Sequence, residues 1–184
     1  MINVSRKVYQ TVLFAVVGFT LLGIVSKEAY SIVDLRVGYS FGNLYQENDK
    51  FANETGFDLS AWVQPLFFLP VALDLGYAVH NLELSSNSMG LDYEKIFIGV
   101  VAWIPFIPIV TPFVSVRAIP WQDVEKVDGR KIDLKMGYGF VAGIKYKVIP
   151  LINVFASFNY ELTSDEDSND YKSSYGTLGV EVDL

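Results

Sequence analysis

The chain has 184 residues, of which 51% are hydrophobic and 15% aromatic, and it carries 14 Lys and Arg against 21 Asp and Glu, for a net charge of −7. This length suits one compact domain, the apolar share excludes a disordered segment, and the acidic balance argues against a nucleic-acid partner, which needs clustered cations. Because the chain has no cysteine and only one histidine, disulfides, thiolate nucleophiles and multi-histidine metal sites are excluded.

The first thirty residues have the layout of a secretory signal peptide. Arg6 and Lys7 precede an uncharged run over 11–25, and small and polar residues follow it. That run is short for a membrane-spanning helix, which needs ~20 residues, so an uncleaved anchor is the weaker interpretation. We predict a signal peptide over 1–29, with cleavage between 26 and 30, followed by a single domain over 30–184.

From residue 33 onward apolar and polar residues alternate, which is the pattern of β-strands with one apolar face. The clearest run covers 132–147, where every second residue from Ile132 to Tyr146 is apolar. The alternation predicts eight strands, in chain order at 33–41, 57–66, 72–80, 94–104, 109–119, 132–147, 154–162 and 178–184.

Two kinds of connection alternate between these strands. Three short apolar turns each contain a proline, which ends a strand because it cannot donate to the sheet; they are centred on Pro70, Pro108 and Pro150. The other four connections are polar and about ten to thirteen residues long, at 43–55, 81–92, 121–131 and 163–173. The sequence therefore predicts an up-and-down arrangement with short turns at one end and long loops at the other.

Strands with one apolar face occur in soluble barrels with an apolar interior and in membrane barrels with an apolar exterior. The polar face here is rich in Gly, Ser and Asn with isolated charges, which suits a narrow lumen better than a solvated surface. Strands of about ten residues match a tilted membrane span, and short turns opposite long loops are typical of outer-membrane barrels. Closure also leaves no sheet edge exposed to lipid. Aromatic residues near the predicted strand ends would form girdles at both membrane interfaces, although ordinary strand propensity explains them as well.

The region 32–184 resembles the small eight-stranded outer-membrane β-barrels of Gram-negative bacteria, of the OmpA, OmpX and OmpW type. The resemblance rests on the whole pattern, on the glycine-rich strand MGYGFVAGIKYKV and on the closing strand YGTLGVEVDL, which looks like the assembly signal of these proteins. The closing strand ends in Leu184, where that signal usually ends in Phe or Trp.

The resemblance implies an all-β, eight-stranded antiparallel up-and-down transmembrane β-barrel in the outer membrane. Its loops would be extracellular and both termini periplasmic. The partners that it implies are outer-membrane lipid, lipopolysaccharide and the barrel-assembly machinery.

If the apolar face meets lipid, a set of charged residues points into the lumen, and chain direction sorts them into two tiers. The turn-end tier contains Asp34, Arg36, Asp74, Lys145, Glu181 and Asp183, and the loop-end tier contains Asp58, Arg117, Asp133, Lys135 and Glu161. These ions either pair inside a closed plug, which is the favoured interpretation, or line a narrow cation-favouring path.

The fourth and fifth predicted strands are apolar on both faces, so one wall of the lumen should be apolar. The candidates are Phe97, Val101, Trp103 and Phe113. They either fill the barrel or line a pocket that admits a small hydrophobic molecule.

His80 is the one candidate for a catalytic base. Some proteins of the family that this chain resembles are lipid A acyl-chain enzymes, with Ser, His and an acid near the outer rim. His80 is predicted at that rim, but position 82 is Leu, whereas the deacylase type has a Ser two residues from the His. We predict no catalytic residues.

The last predicted loop is acidic, with oxygen ligands at Asp165, Asp167, Asn169 and Asp170. It lacks the glycine that a calcium loop needs for its sharp turn, so a solvated loop is the better interpretation. The alternative is a divalent ion that bridges to lipopolysaccharide phosphate. We predict no metal site and no cofactor.

Three functions remain open. The first is a structural or surface-interaction barrel that meets an extracellular ligand through its four polar loops, because eight strands leave an interior only wide enough for side chains. The second is binding or passage of a small hydrophobic molecule through a partly apolar lumen. The third is a lipid A-modifying enzyme.

Overall fold

The computed structural model describes residues 32–46, 49–65, 69–84, 90–104, 109–125, 131–165 and 169–184. The predicted signal peptide lies outside these residues. Within the described ranges, no helix has the length and hydropathy needed to cross a membrane.

The described residues form antiparallel strands that close into a barrel. The strands are β1 (Ile32–Gln46), β2 (Asp49–Gln64), β3 (Val71–Leu84), β4 (Gly90–Trp103), β5 (Val110–Glu125), β6 (Lys131–Asp133), β7 (Gly137–Ile149), β8 (Ile152–Ser164) and β9 (Asp170–Asp183). The eight long strands pair in chain order, and β9 pairs with β1 to close the sheet, whereas the short β6 pairs only with β5. The predicted all-β, eight-stranded up-and-down barrel is confirmed.

The strands are longer, and the connections at the loop end shorter, than the sequence predicts. The predicted loop at 43–55 is mostly strand, because β1 continues to Gln46 and β2 begins at Asp49. In this region polar residues such as Asn43 and Asn53 pair across the hairpin, so the backbone ladder continues where the apolar alternation has ended. The predicted loops at 81–92, 121–131 and 163–173 are shortened in the same way.

The predicted strand at 132–147 is interrupted. β6 ends at Asp133, Leu134 forms an isolated bridge with Asp165, and β7 begins at Gly137. The interruption lies opposite a bulge in β5 at Pro120, where the register against β4 shifts. Proline has no N–H to donate, so it is tolerated in a sheet at such bulges.

The outward face of the barrel is an apolar band. On β1, Val37, Tyr39 and Phe41 are 44–47% exposed, whereas their neighbours Arg36 and Ser40 are buried. Exposed apolar residues continue this band around the other long strands, among them Leu73, Ile98, Val116, Phe140, Phe158 and Leu178. Charged and polar side chains are buried in the interior while the exterior is apolar, which inverts the arrangement of a soluble protein and is typical of a membrane barrel.

Candidate functional site

The lumen contains three groups of polar side chains, which follow one another from the turn end to the loop end. The turn-end group is Asp34, Arg36, Lys145, Asn153, Glu181 and Asp183. The central group is Trp62, Asp74, Ser115, Arg117 and Asn159. The loop-end group is Ser40, Glu54, Asp58, His80, Lys95, Glu161, Ser173, Tyr175 and Thr177.

Glu181 is the shared acceptor of the turn-end group. Lys145 Nζ donates to Glu181 Oε1 at 2.6 Å, and Asn153 Nδ2 donates to the same oxygen at 3.0 Å. Arg36 Nε lies 3.1 Å from Glu181 Oε2. Lys145 also lies 3.5 Å from Asp34, so this group ties the closing strand β9 to β1 and β7.

Aromatic rings surround the Arg36 guanidinium. Its Cζ lies 4.0 Å from the centroid of Trp62, 3.9 Å from that of Phe155 and 4.7 Å from that of Phe113. Among the described residues, Arg36 Nη2 has no hydrogen-bond acceptor. The faces of these rings therefore stabilise this buried cation in place of water.

Asp74 is the acceptor of the central group. It receives hydrogen bonds from Arg117 Nε at 2.7 Å, Ser115 Oγ at 3.0 Å and Trp62 Nε1 at 3.1 Å. Its side chain is fully buried, and three donors are what a carboxylate removed from water requires. The sequence assigned Asp74 and Arg117 to different tiers, but strand tilt and stagger in the barrel bring them to one level.

The loop-end group encloses His80 between two carboxylates. Nδ1 of His80 lies 2.5 Å from Glu54 Oε1, and Nε2 lies 3.1 Å from Asp58 Oδ1. Ser173 donates to Glu54, and Ser40 donates to Asp58. Both ring nitrogens are therefore engaged inside the lumen.

Lys95 joins opposite walls of the loop-end group. Its Nζ donates to Glu161 at 2.5 Å and to the Tyr175 hydroxyl at 3.2 Å, and it lies 3.8 Å from Glu54. Lys95 is on β4, Glu161 on β8 and Glu54 on β2, so one buried cation links three strands across the barrel.

The sequence analysis missed three members of the loop-end group that form ion pairs, namely Glu54, His80 and Lys95. Glu54 lies in a segment that was predicted as loop. His80 was predicted at the rim, but β3 continues to Leu84 and His80 is 1% exposed inside the lumen. Lys95 was missed because most of β4 is apolar on both faces. The small residue Gly99, which shares a face with Lys95, was the one sign in the sequence of which face points into the lumen.

Of the eleven predicted lumen charges, nine make lumen contacts and Lys135 does not. The nine are Asp34, Arg36, Asp58, Asp74, Arg117, Lys145, Glu161, Glu181 and Asp183. The Lys135 side chain is exposed, because Lys135 lies in the interruption between β6 and β7 where the alternation is lost. Its backbone carbonyl accepts a hydrogen bond from Gln122. The Asp133 side chain lies outside the described part of the structure.

The four apolar lumen candidates all lie on the inner wall. Phe97, Val101 and Phe113 are buried, and Trp103 is partly buried and stacks on Trp62 with a centroid distance of 6.3 Å. Phe97 also lies 4.1 Å from the Arg117 guanidinium. Val101, Trp103 and Phe113 belong to one apolar cluster, and Phe97 packs in a second cluster with Ala78 and Ile119.

A further apolar cluster, which the sequence did not predict, closes the loop end of the lumen. Its buried members are Leu44, Ala52, Leu82, Leu91, Tyr93 and Val124, with Phe51, Leu134 and Tyr171 packed against them. A narrow pocket runs through this cluster; its lining residues are Leu44, Phe51, Leu82, Tyr93, Val124, Leu134, Thr163 and Tyr171. We call this pocket the mouth pocket.

Asp165, one of the oxygen ligands considered in the last predicted loop, is engaged by other groups of the protein. Asp165 is buried and accepts hydrogen bonds from the backbone and side-chain nitrogens of Asn169, at 2.9 and 2.8 Å. Asp167 lies outside the described residues. In the described ranges, Asp34, Glu181 and Asp183 are spaced as metal ligands could be, but Lys145 and Arg36 contact this group.

Comparison with known proteins gives matches in structure but not in sequence. No family model and no curated protein matches the chain. Neisserial surface protein A matches with a TM-score of 0.68 at 14% identity, over 83% of this chain and 96% of that chain. The attachment invasion locus protein Ail of Yersinia pestis matches with 0.54 at 14% identity, over 84% and 99%. The outer membrane protein OprG of Pseudomonas aeruginosa matches with 0.52 at 9% identity, over 84% and 95%.

These matches establish the fold. The chain is a small eight-stranded β-barrel of the outer-membrane type, as the resemblance in its sequence predicted.

Proposed function

We propose that this chain is a closed outer-membrane barrel that conducts no ions and acts through the surface at its loop end. In this orientation the loops are extracellular, the termini are periplasmic, and lipid and lipopolysaccharide surround the apolar band. The barrel-assembly machinery would insert it.

The observation that carries this proposal is that the described residues fill the lumen from the turn end to the loop end. The turn-end, central and loop-end groups alternate with apolar side chains, and the mouth is covered by the cluster around Leu82 and Tyr93. An eight-stranded barrel has an interior just wide enough for such filling. The exposed hairpins at the loop end are then the part of the molecule that is available to a partner.

Conductance in a planar lipid bilayer tests this proposal. We expect no steady current from the wild-type barrel, while a wide porin in the same membrane serves as the positive control. A steady, weakly cation-selective current would overturn the proposal and make the charged lumen the functional site.

The mouth pocket supports a second candidate function, the binding of a small hydrophobic molecule, although its free volume is only ≈ 20 Å³ and the side chains around it must move apart to admit one. Its walls are almost entirely apolar, and the Tyr93 hydroxyl donates to Gln122 at 2.7 Å within the lumen. Apolar walls with a few placed polar groups are typical of small-molecule sites.

Methyl NMR with toluene as the probe tests this second function. We expect saturable shifts of the Leu44 and Leu82 methyl signals, which Val124→Trp should abolish by filling the pocket. Val116→Trp is the matched control, because Val116 lies on the same strand but faces outward. Linear, unsaturable shifts in the wild type would exclude the site.

Lipid A chemistry is not proposed. It would need His80 at the outer rim, and both ring nitrogens of His80 contact carboxylates in the lumen.

A further inference from the structure

The outer wall of the barrel has a groove across β7, β8, β9 and β1. Small outward residues form its floor, namely Ala142, Ala156 and Gly176. Larger outward residues form its sides, namely Phe41, Ile144, Phe158 and Leu178. Its volume is ≈ 280 Å³, and it is shallow and open to the surrounding membrane.

On β1 and β9, strand register places the groove immediately below the upper edge of the apolar band, whereas on β7 and β8 the band continues through the outward pairs of Phe140 with Tyr160 and Tyr138 with Leu162. Phe41 pairs with Gly176, and the next outward pair toward the loop end is the polar pair of Asn43 and Ser174. The groove therefore lies at hydrocarbon depth in the leaflet on the loop side, where the only surrounding material is lipid or another membrane protein.

Two lysines stand at the rim above this groove. Tyr45 pairs with Lys50 on one side and with Lys172 on the other, so both lysines lie on the outward face of neighbouring strands. Lys172 is four residues from Gly176, which is about 13 Å along the strand. That distance is within the half-thickness of a bilayer core, about 15 Å, so one lipid can reach both.

The rim on the opposite wall has the opposite charge. Asp92 and Glu94 on β4 and Asp123 on β5 lie between inward residues and so face outward. Near the groove, the exposed Lys50 and the partly buried Lys172 stand beside Asp170, which is exposed two residues from Lys172 on the same face. An anionic headgroup is therefore favoured on this side over the opposite wall, because lysines near a membrane surface attract anionic lipids.

We propose that the groove binds one phosphate-bearing lipid of the leaflet on the loop side. An acyl chain lies over Ala156 and Gly176 between Phe41 and Phe158, and the phosphate contacts Lys50 and Lys172. The inference rests on the membrane location in the proposed function but not on the closed lumen, so bilayer conductance and lipid binding can fail independently.

Native mass spectrometry of the detergent-purified barrel tests the groove, with dimyristoyl phosphatidic acid as the probe and dimyristoyl phosphatidylcholine as its uncharged-headgroup counterpart. We expect the wild type to retain one phosphatidic acid molecule in preference to phosphatidylcholine. Ala156→Phe should fill the floor and weaken retention about tenfold, the effect of withdrawing roughly two methylene groups from contact. Ala118→Phe, an outward position on β5 beyond the groove, should retain lipid like the wild type.

A second pair of variants tests the headgroup contact. The double variant Lys50→Gln and Lys172→Gln should lose the preference for phosphatidic acid while retaining phosphatidylcholine at the wild-type level. Lys147→Gln, an exposed lysine at the turn end of β7, is the control. Inorganic phosphate should not displace the lipid, because the acyl chain supplies part of the contact.

Heat-modifiable migration on gels confirms that each variant is folded, and Ala142→Leu replaces Ala156→Phe if that variant does not fold. Equal lipid retention by the floor variant and Ala118→Phe would overturn the groove. An unchanged preference in the double lysine variant would overturn the headgroup contact.

Discussion

Arg36 illustrates how a narrow barrel accommodates a charge without water. Its guanidinium faces Glu181, and the rings of Trp62, Phe113 and Phe155 surround it within 4.7 Å. Removing one partner of such a buried pair is more costly than removing both, because a lone buried charge loses its compensation.

Arg36→Met should therefore lower the free energy of unfolding by about 3–5 kcal/mol, as for other broken buried ion pairs. Urea titration of the barrel in phospholipid vesicles, followed by tryptophan fluorescence, measures this change. The double variant Arg36→Met and Glu181→Gln should recover part of the loss. Unchanged unfolding of Arg36→Met would indicate a hydrated, loosely organised lumen.

Phe97 tests the apolar part of the lumen. It is 1% exposed, packs against Ala78 and Ile119, and lies 4.1 Å from the Arg117 guanidinium. Phe97→Ala should cost about 3–5 kcal/mol of unfolding free energy, because the void cannot close in a filled barrel. Phe158→Ala is the control, since Phe158 is 54% exposed on the outer wall and leaves no internal void. Equal losses in the two variants would show that this wall of the lumen is not packed.

At the level of single strands, β5 shapes the closure of the lumen at the loop end. The bulge at Pro120 leaves Ile119 and Gln122 both buried, so the inward parity of β5 changes from odd to even before Val124. This change brings Val124 to the mouth pocket and Gln122 to Tyr93. A one-residue bulge thus builds the closure at the loop end.

The closing strand β9 places apolar groups on the outer face up to its last residue. Leu184 is 55% exposed, and its backbone N–H donates to Val33 O at 2.9 Å, which fastens the terminus to β1. Leu184→Asp should lower the assembled fraction, because it puts a charge beside lipid, whereas Leu184→Phe should match or exceed the wild type. Heat-modifiable migration of membrane fractions measures assembly. If Leu184→Asp assembles as well as the wild type, this side chain has no role in assembly.

At the scale of the whole molecule, the two ends of the barrel have different connections between their strands. The turn end has short connections with Pro70 and Pro150, and the loop end has hairpins that continue past the apolar band. Backbone pairing in the hairpin of β1 and β2 continues to Gln46 and Asp49, so paired strand ends, rather than a long loop, form the surface that this hairpin offers to a partner.

Protease treatment of intact cells checks the orientation. If the loop end is extracellular, any cleavage should fall within the connections at 85–89, 126–130 and 166–168. Cells opened to admit the protease to the periplasm are the control for the turn end. Cleavage of intact cells confined to the turns at Pro70, Pro108 and Pro150 would show the reverse orientation.

The sequence by itself determined the barrel. The alternation of apolar and polar residues indicates which of them face lipid. Of two neighbouring residues in a strand, one meets the apolar membrane and is apolar, and the other meets the crowded lumen and is small or polar. The prolines marked the turns for a local reason as well, because proline has no N–H to donate to the sheet. These features need no information from distant parts of the chain.

The tertiary structure decided the contacts inside the lumen. Asp74 meets Arg117, and Lys95 meets Glu161, only because strand tilt and stagger set the level of each side chain. The outward neighbours of Glu54, Asn53 and Thr55, are polar as well, so the alternation could not show that Glu54 belongs to a strand. In β4 both faces are apolar, so only pairing with β3 and β5 fixed the inward direction of Lys95. Alternation reports a difference between two environments, and it is lost wherever the residues on the two faces do not differ.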